Sequence, residues 1–379
     1  MDFKFSTQCE LPFVLNLPDG PYRVALNQNN AYTITISNQL FSLNFTSNNK
    51  KYTAFGSIEQ ISTQLNIPED EVAHAATKLR TVTNYSWGEK LDIVNLPQLT
   101  ISLNECMQSE LLRHDRKDLI GDNLQISTQR EIDILTTEQL LDFETFQRQK
   151  LYARQSIPQA SDRFLSALNR LIRWYMALIN DPFVEEVGFH QLGATSTLGI
   201  QFAATVDGKM LESAPFVGKA PSILKSPWRP ITDEIAATIQ KHLDSASEPD
   251  FAAVLLRRAE HSIEITAFRN AIAEAATALE IAVARAIRRG MIKQGKSEND
   301  ITSELGKTKS RFPQRAEDAL RHWCGKGVLE LDPVLWAQIR ADRASHRNAI
   351  VHSDLEPLES ETREITARFR KMAEMIFHL

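Results

Sequence analysis

The spacing of apolar residues changes once along this chain, and that change constrains the fold more than any single motif. From residue 1 to about 105 the repeat is two: Tyr32, Ile34 and Ile36 alternate with Thr33, Thr35 and Ser37, and Phe41, Leu43 and Phe45 alternate with Ser42, Asn44 and Thr46. Successive side chains of a strand point to opposite faces, so such segments bury one face of an antiparallel sheet and wet the other. After about residue 247 the spacing is helical: Ile265, Phe268, Ile272, Ala275, Leu279 and Val283 form one stripe, and Leu358, Ile365, Phe369, Met372 and Ile376 form another. Strands first and helices last place the chain in the α+β class.

Between these ends the pattern is mixed. Residues 57–82 interrupt the strands with a helical stretch in which Pro68, Glu69 and Asp70 form an acidic first turn. Residues 106 to about 155 are polar and weakly periodic, a connecting region with short helices. Leu165, Leu168, Ile172, Tyr175 and Ile179 then predict a helix over 161–181, and strand-like runs follow at 183–190 and 197–206 with Asp207-Gly208 as a turn. Four prolines between 213 and 230 mark an extended linker, and the small polar segment 245–250 marks a boundary. Three regions result: a β-rich domain over 1–105, a mixed α/β region over 106–247, and a helical bundle over 248–379.

With 42% hydrophobic residues the chain can bury ordinary cores. Cys9, Cys106 and Cys324 lie too far apart for a disulfide framework or a metal knuckle, so the reading is a reduced, cytoplasmic protein. The opening residues lack a signal-peptide pattern and no apolar run reaches membrane-spanning length, so no membrane partner is expected. The 43 basic and 48 acidic residues give a net charge of -5. That total hides a split: residues 251–379 carry 21 basic against 18 acidic side chains, so an acidic front precedes a basic tail that can meet nucleic acid.

Glycine-rich phosphate loops, HExxH, CxxC and GxSxG are all absent, which removes the common nucleotide, zinc and nucleophile-elbow chemistries; no cofactor or metal is expected. The informative segment is the helix expected over 332–354. Trp336, Arg340, Arg343, Arg347 and Val351 fall roughly one above another, with Leu335, Ile339, His346 and Ile350 alongside. Guanidinium groups on a buried face are costly without anions. The stripe therefore needs carboxylates from the same chain, a second copy of the chain, or a phosphate-bearing ligand. Glu280, flanked by Ala276, Thr277, Val283 and Ala284 on its helix, is one such carboxylate.

Arg347-Asn348-Ala349-Ile350-Val351-His352 resembles the signature of the HEPN superfamily, an arginine, then often an asparagine, with histidine five positions after the arginine. The run ATALEIAVARAI resembles the long helix preceding that motif in Apea-type members of prokaryotic defence and toxin proteins. The likeness covers residues 248–379, about a third of the chain.

The resemblance implies metal-independent endoribonuclease activity in anti-phage defence or growth arrest. In that reaction a 2'-hydroxyl attacks the adjacent phosphate, at a composite site made by two HEPN domains, so a homodimer or higher oligomer is implied. His352, near an expected helix C-terminus, suits general-acid work, and Arg347 offers a planar fork for phosphate oxygens. Asn348, four residues before His352 and so on the same helical face, would orient it or bind phosphate. Arg340, Arg343 and His346 would contact RNA phosphates. Regulated HEPN toxins typically carry a tyrosine two residues after the motif histidine; Asp354 stands there, so residues 1–247 are the place to look for sensing of a trigger. The alternative is a non-catalytic HEPN-containing module that binds RNA or a nucleotide, or that serves dimerisation.

Overall fold

The computed structural model describes residues 1–28, 30–47, 50–66, 68–69, 72, 76–92, 95, 137–179, 181–193, 200–216, 231–306, 312–347 and 357–379. The chain is α+β and forms two compact units. Unit 1 comprises Met1–Pro12, Leu17–Leu168 and Val187–Ile223, and unit 2 comprises Phe13–Asn16, Asn169–Glu186 and Leu224–Leu379.

Unit 1 is built on one seven-stranded antiparallel sheet: β1 (Asp2–Glu10), β2 (Gly20–Ala25), β3 (Ala31–Ser47), β4 (Lys50–Ser57), β5 (Ala76–Lys90), β6 (Ile200–Val206) and β7 (Lys209–Phe216). The strand order is β2-β3-β5-β1-β6-β7, with β4 paired to β3. In β1 the alternation is complete, with Phe3, Phe5, Thr7 and Cys9 buried between exposed or half-buried neighbours. Asp207 and Gly208, both at positive φ, join β6 to β7 as the hairpin chemistry predicts. Ser57 and Gln60 form a capping box that opens α1 (Ile58–Leu65). The helical reading carried on to residue 82, but β5 already begins at Ala76, where pairing with β3 overrides local propensity.

Helix α2 runs from Thr137 to Leu178, starting well before the expected 161. Over residues 151–160 the sequence signal is weak because about one small or apolar residue per turn is buried, namely Ala153, Ile157 and Ala160, among exposed or half-buried ones. Phe164 follows and packs on the sheet, 5.3 Å from Tyr85 and 5.8 Å from Phe202 between ring centroids. The segment 183–190, strand-like in its sequence, is not a strand: Asp181 Oδ1 accepts from the Phe183 backbone N–H and turns the chain.

Unit 2 is helical: α3 (Asp233–Asp244), α4 (Phe251–Glu264), α5 (Phe268–Lys293), α6 (Glu298–Leu305), then α7, a run through Phe312–Gln314, a π-helical Arg315–Ala319 and Leu320–Cys324. After α8 (Val328–Leu331) come α9 (Pro333–Asp342), a π-helical Arg343–Arg347 and finally α10 (Glu359–Phe377). Ile272, Ala275, Leu279 and Val283 are buried against Ile365, Phe369, Met372 and Ile376 in one core. Two residues of the expected stripes are exposed instead: Ile265 at the end of α4 and Leu358 at the start of α10. Both occupy cap positions, where the helical phase no longer points inward.

Helix α5 runs through Gly290 to Lys293; a Cβ at Gly290 would lie 2.3 Å from the Trp323 carbonyl oxygen, so only glycine permits this approach of α7. No helix among the described residues is long and apolar enough to cross a membrane.

Candidate functional site

The stripe expected from the sequence begins on α9, which Asp332 caps by accepting from the Leu335 N–H at 2.9 Å, with Pro333 in the first turn. That backbone bond, followed by the ammonium of Lys371, holds the Asp332 carboxyl below its usual range. Leu335, Trp336 and Ile339 enter the core. At Arg343 the helix changes to i→i+5 bonding. Beyond Arg343 the helical phase therefore departs from the α-helical extrapolation by about one residue.

The structure gives the polar side chains of this segment carboxylate partners on separate elements. Arg343 Nη2 donates to Glu280 Oε1 on α5 at 2.6 Å, and its Cζ lies 4.2 Å from the Phe312 ring centroid. The side chain is 14% exposed, and Nη1 is buried with no hydrogen-bond partner among the described residues. His346 pairs through Nε2 with Glu361 on α10 at 2.7 Å and through Nδ1 with Ser345 Oγ at 2.8 Å. Arg340 is 59% exposed and stands 3.7 Å from Glu317 on α7, which also accepts from Trp336 Nε1 at 2.6 Å. Asp342, buried at the junction with the π turn, receives two bonds from Arg368, at 2.7 and 3.1 Å. These bonds raise the Arg368 guanidinium further above its ordinary value.

Of the residues singled out in the sequence, Arg340, Arg343, His346 and Glu280 are thus placed, and Arg343 and Glu280 are brought together. Arg347 is placed by its backbone as the last residue of the π turn. Asn348 and His352, with Asp354, lie outside the described residues. Sequence reasoning missed Glu317, Asp342, Glu361 and Arg368. A signal existed for the last two: seven positions apart, they share a side of α10 with each other.

Chemically, the arrangement anchors a π turn rather than presenting a bare cationic stripe. Arg343, His346 and Asp342 fasten it to α5 and α10, while Arg340 keeps an exposed guanidinium that a phosphate could take from Glu317. Among the described residues no group of three or more histidine, cysteine or acidic side chains is placed to hold a metal ion. Comparison with protein-family models, with curated proteins and with solved structures finds no match to this chain.

Proposed function

We propose that unit 2 contains a HEPN-like domain that acts, as a dimer in the cytoplasm, as a metal-independent endoribonuclease in anti-phage defence or growth arrest. One observation carries the reading. The Arg347–His352 segment begins on the last residue of a π turn, a distortion frequent at functional sites, and this turn is tied down by Glu280, Glu361 and the Asp342–Arg368 pair. An anchored turn is what a catalytic arginine and histidine need to keep their spacing.

In this reading the 2'-hydroxyl attacks the adjacent phosphorus, and the bond from phosphorus to the 5'-oxygen breaks, leaving a 2',3'-cyclic phosphate and a 5'-hydroxyl. The 2'-hydroxyl gives up its proton to water as it attacks, His352 protonates the departing 5'-oxygen, Arg347 neutralises the charge gathering on the phosphoryl oxygens, and Asn348 orients the histidine. Arg340 makes the phosphate contact; Arg343 and His346, assigned to RNA from the sequence, serve here as anchors. RNA incubated with the chain in EDTA should yield cyclic-phosphate or 3'-phosphate ends, and His352→Ala and Arg347→Ala should each abolish cutting while preserving the circular dichroism spectrum. Undiminished cutting by both variants refutes the assignment.

The non-catalytic reading, an RNA- or nucleotide-binding or dimerisation module, is favoured by the pairing of Arg343 and His346 with carboxylates, since paired cations need no substrate. It predicts salt-sensitive RNA binding without cleavage, log affinity falling with log salt by about 0.7 per phosphate on a single strand.

A further inference from the structure

His346 stands on the π turn that ends at Arg347, within a chain of three hydrogen bonds whose directions fix where the protons are. Ser345 Oγ donates to the carbonyl oxygen of Ala341 at 2.8 Å. A serine hydroxyl has a single proton to give. Toward His346 Nδ1, 2.8 Å away, the same oxygen therefore only accepts, so Nδ1 carries a hydrogen. On the other side of the ring, Nε2 lies 2.7 Å from Glu361 Oε1. A carboxylate only accepts, and a carboxyl group is ordinarily a stronger acid than an imidazolium by about two pH units, so this proton belongs to the ring as well. Both ring nitrogens are donors, and the species that fits the turn is the imidazolium.

Neither neutral tautomer keeps all of these bonds. With the proton on Nδ1, the bare Nε2 lone pair faces a carboxylate oxygen at hydrogen-bond distance. With the proton on Nε2, Nδ1 needs a donor, and Ser345 supplies one only by turning its hydroxyl away from Ala341. The Ala341 carbonyl is then left to water.

The neighbouring charges are already matched with one another. The elements packed around the turn bring Glu280 on α5 and Glu361, Glu364 and Arg368 on α10, and the helical run of His346 itself brings Asp342 and Arg343. Arg343 is paired with Glu280, and Arg368 with Asp342 and Glu364. Among the described residues Glu361 is the carboxylate within ion-pair distance of His346. The histidine side chain is 17% exposed, so water and protons reach it.

We infer that His346 is a proton-operated latch on the π turn: as an imidazolium it clamps the turn to Glu361 of α10, and when the proton leaves, a hydrogen bond is lost and the turn loosens. Because the bond goes with the proton, the clamp is complete on the acid side and weakens as pH rises through the titration of the ring. Arg347 is the next residue in the chain and the last of the turn. On the nuclease reading, on which this consequence rests, His346 is a positioning residue whose proton sets how firmly the backbone of Arg347 is held.

The test follows hydrogen exchange of the Ala344–Arg347 amides in the full chain, without RNA, from about pH 5.5 to about pH 9, a range in which carboxylates stay ionised. Each rate is divided by that of an unstructured peptide at the same pH. Nitrogen-15 spectra of the histidine rings, with His346 identified through His346→Gln, give the titration of this ring in the same samples. Protection should fall about two- to ten-fold with rising pH, the worth of one hydrogen bond exchanged for water, and its midpoint should coincide with that of the His346 ring. His346→Gln should give a flat profile. Glu361→Gln should give a smaller fall, because an amide oxygen accepts from the neutral and the charged ring alike.

A flat profile in wild type, a midpoint away from that of His346, a fall that persists in His346→Gln, or one left undiminished by Glu361→Gln would each overturn the proposal. Both variants change partly exposed side chains, and the wild-type profile decides the matter without either. Cutting of RNA plays no part in these readouts, so failure of the latch and failure of the nuclease reading are told apart.

Discussion

Replacing Glu280 by alanine tests whether Arg343 is an anchor or a free cation. In the native structure the Arg343 guanidinium is 14% exposed, donates to Glu280 at 2.6 Å and lies over Phe312. Removing one partner of a fully buried pair costs about 3–5 kcal/mol, because the survivor stays desolvated without its counter-charge. Glu280 is 34% exposed, so water reaches the vacated side and the loss falls to about 1.5–3 kcal/mol, the range for a hydrogen bond to a charged group. Helix propensity returns only a few tenths, alanine being the best helix former.

The double variant Glu280→Ala/Arg343→Met removes the stranded charge and should recover much of the loss, giving a coupling energy of about 1–2 kcal/mol. Because the chain has two compact units, the measurement should report unit 2 alone, and hydrogen exchange of the α9 amides in increasing urea does so. A cost for Glu280→Ala below about 0.5 kcal/mol, the range of ordinary surface changes, would refute the reasoning. So would a double variant no more stable than the single one. Arg343 would then be as free to meet a phosphate as Arg340 is.

Two further outcomes are expected. Asp332 has its carboxyl held below the usual range by the Leu335 N–H and then Lys371, so its ionised form is the one that stabilises the fold. That contribution is complete above the unfolded value of about 3.9 and is lost as pH falls through the lower folded value. Asp332→Asn keeps a capping oxygen but removes this acid-side slope, so melting temperatures of variant and wild type should converge between about pH 5 and about pH 2, and a constant gap would count against the cap. Gly290→Ala should destabilise unit 2 although alanine favours helix by about 1 kcal/mol, since its Cβ would meet the backbone of Trp323 at 2.3 Å and overpacking costs about 1–3 kcal/mol. A raised melting temperature would show that α7 gives way.

What the sequence revealed depended on whether local spacing or long-range pairing decided the outcome. The alternation of β1 and the Asp207-Gly208 turn were legible because one buried face and two positive φ angles leave few alternatives. The faces of α5 and α10 were legible from Ile272 and Ile365 onward, and misread only at Ile265 and Leu358, where caps end the period. The site was legible in its residue types and in one partner, Glu280, whose setting among small and apolar helical neighbours asked for an arginine although 63 residues separate it from Arg343. Nothing in the spacing around Glu317 or Glu361 points to Arg340 or His346. Neither π segment was visible, because a repeat of three and four extrapolates α-helical phase through both.

The partners also decide which cation of the stripe can serve a nucleic acid. Arg343 cannot leave Glu280 without stranding a charge that is mostly withdrawn from water. His346 is tied to Glu361 and Ser345 at once. Arg340 differs on both counts: it is 59% exposed, and an exposed pair at 3.7 Å is worth about 0–1 kcal/mol. Glu317 loses little when Arg340 turns away, because the Trp336 indole still donates to it at 2.6 Å. A phosphate can therefore take Arg340 while the turn that holds Glu317 stays in place. If the chain acts on RNA as proposed, Arg340 is the cation of this stripe free to meet a phosphate, with Arg343 and His346 keeping the turn rigid beneath it.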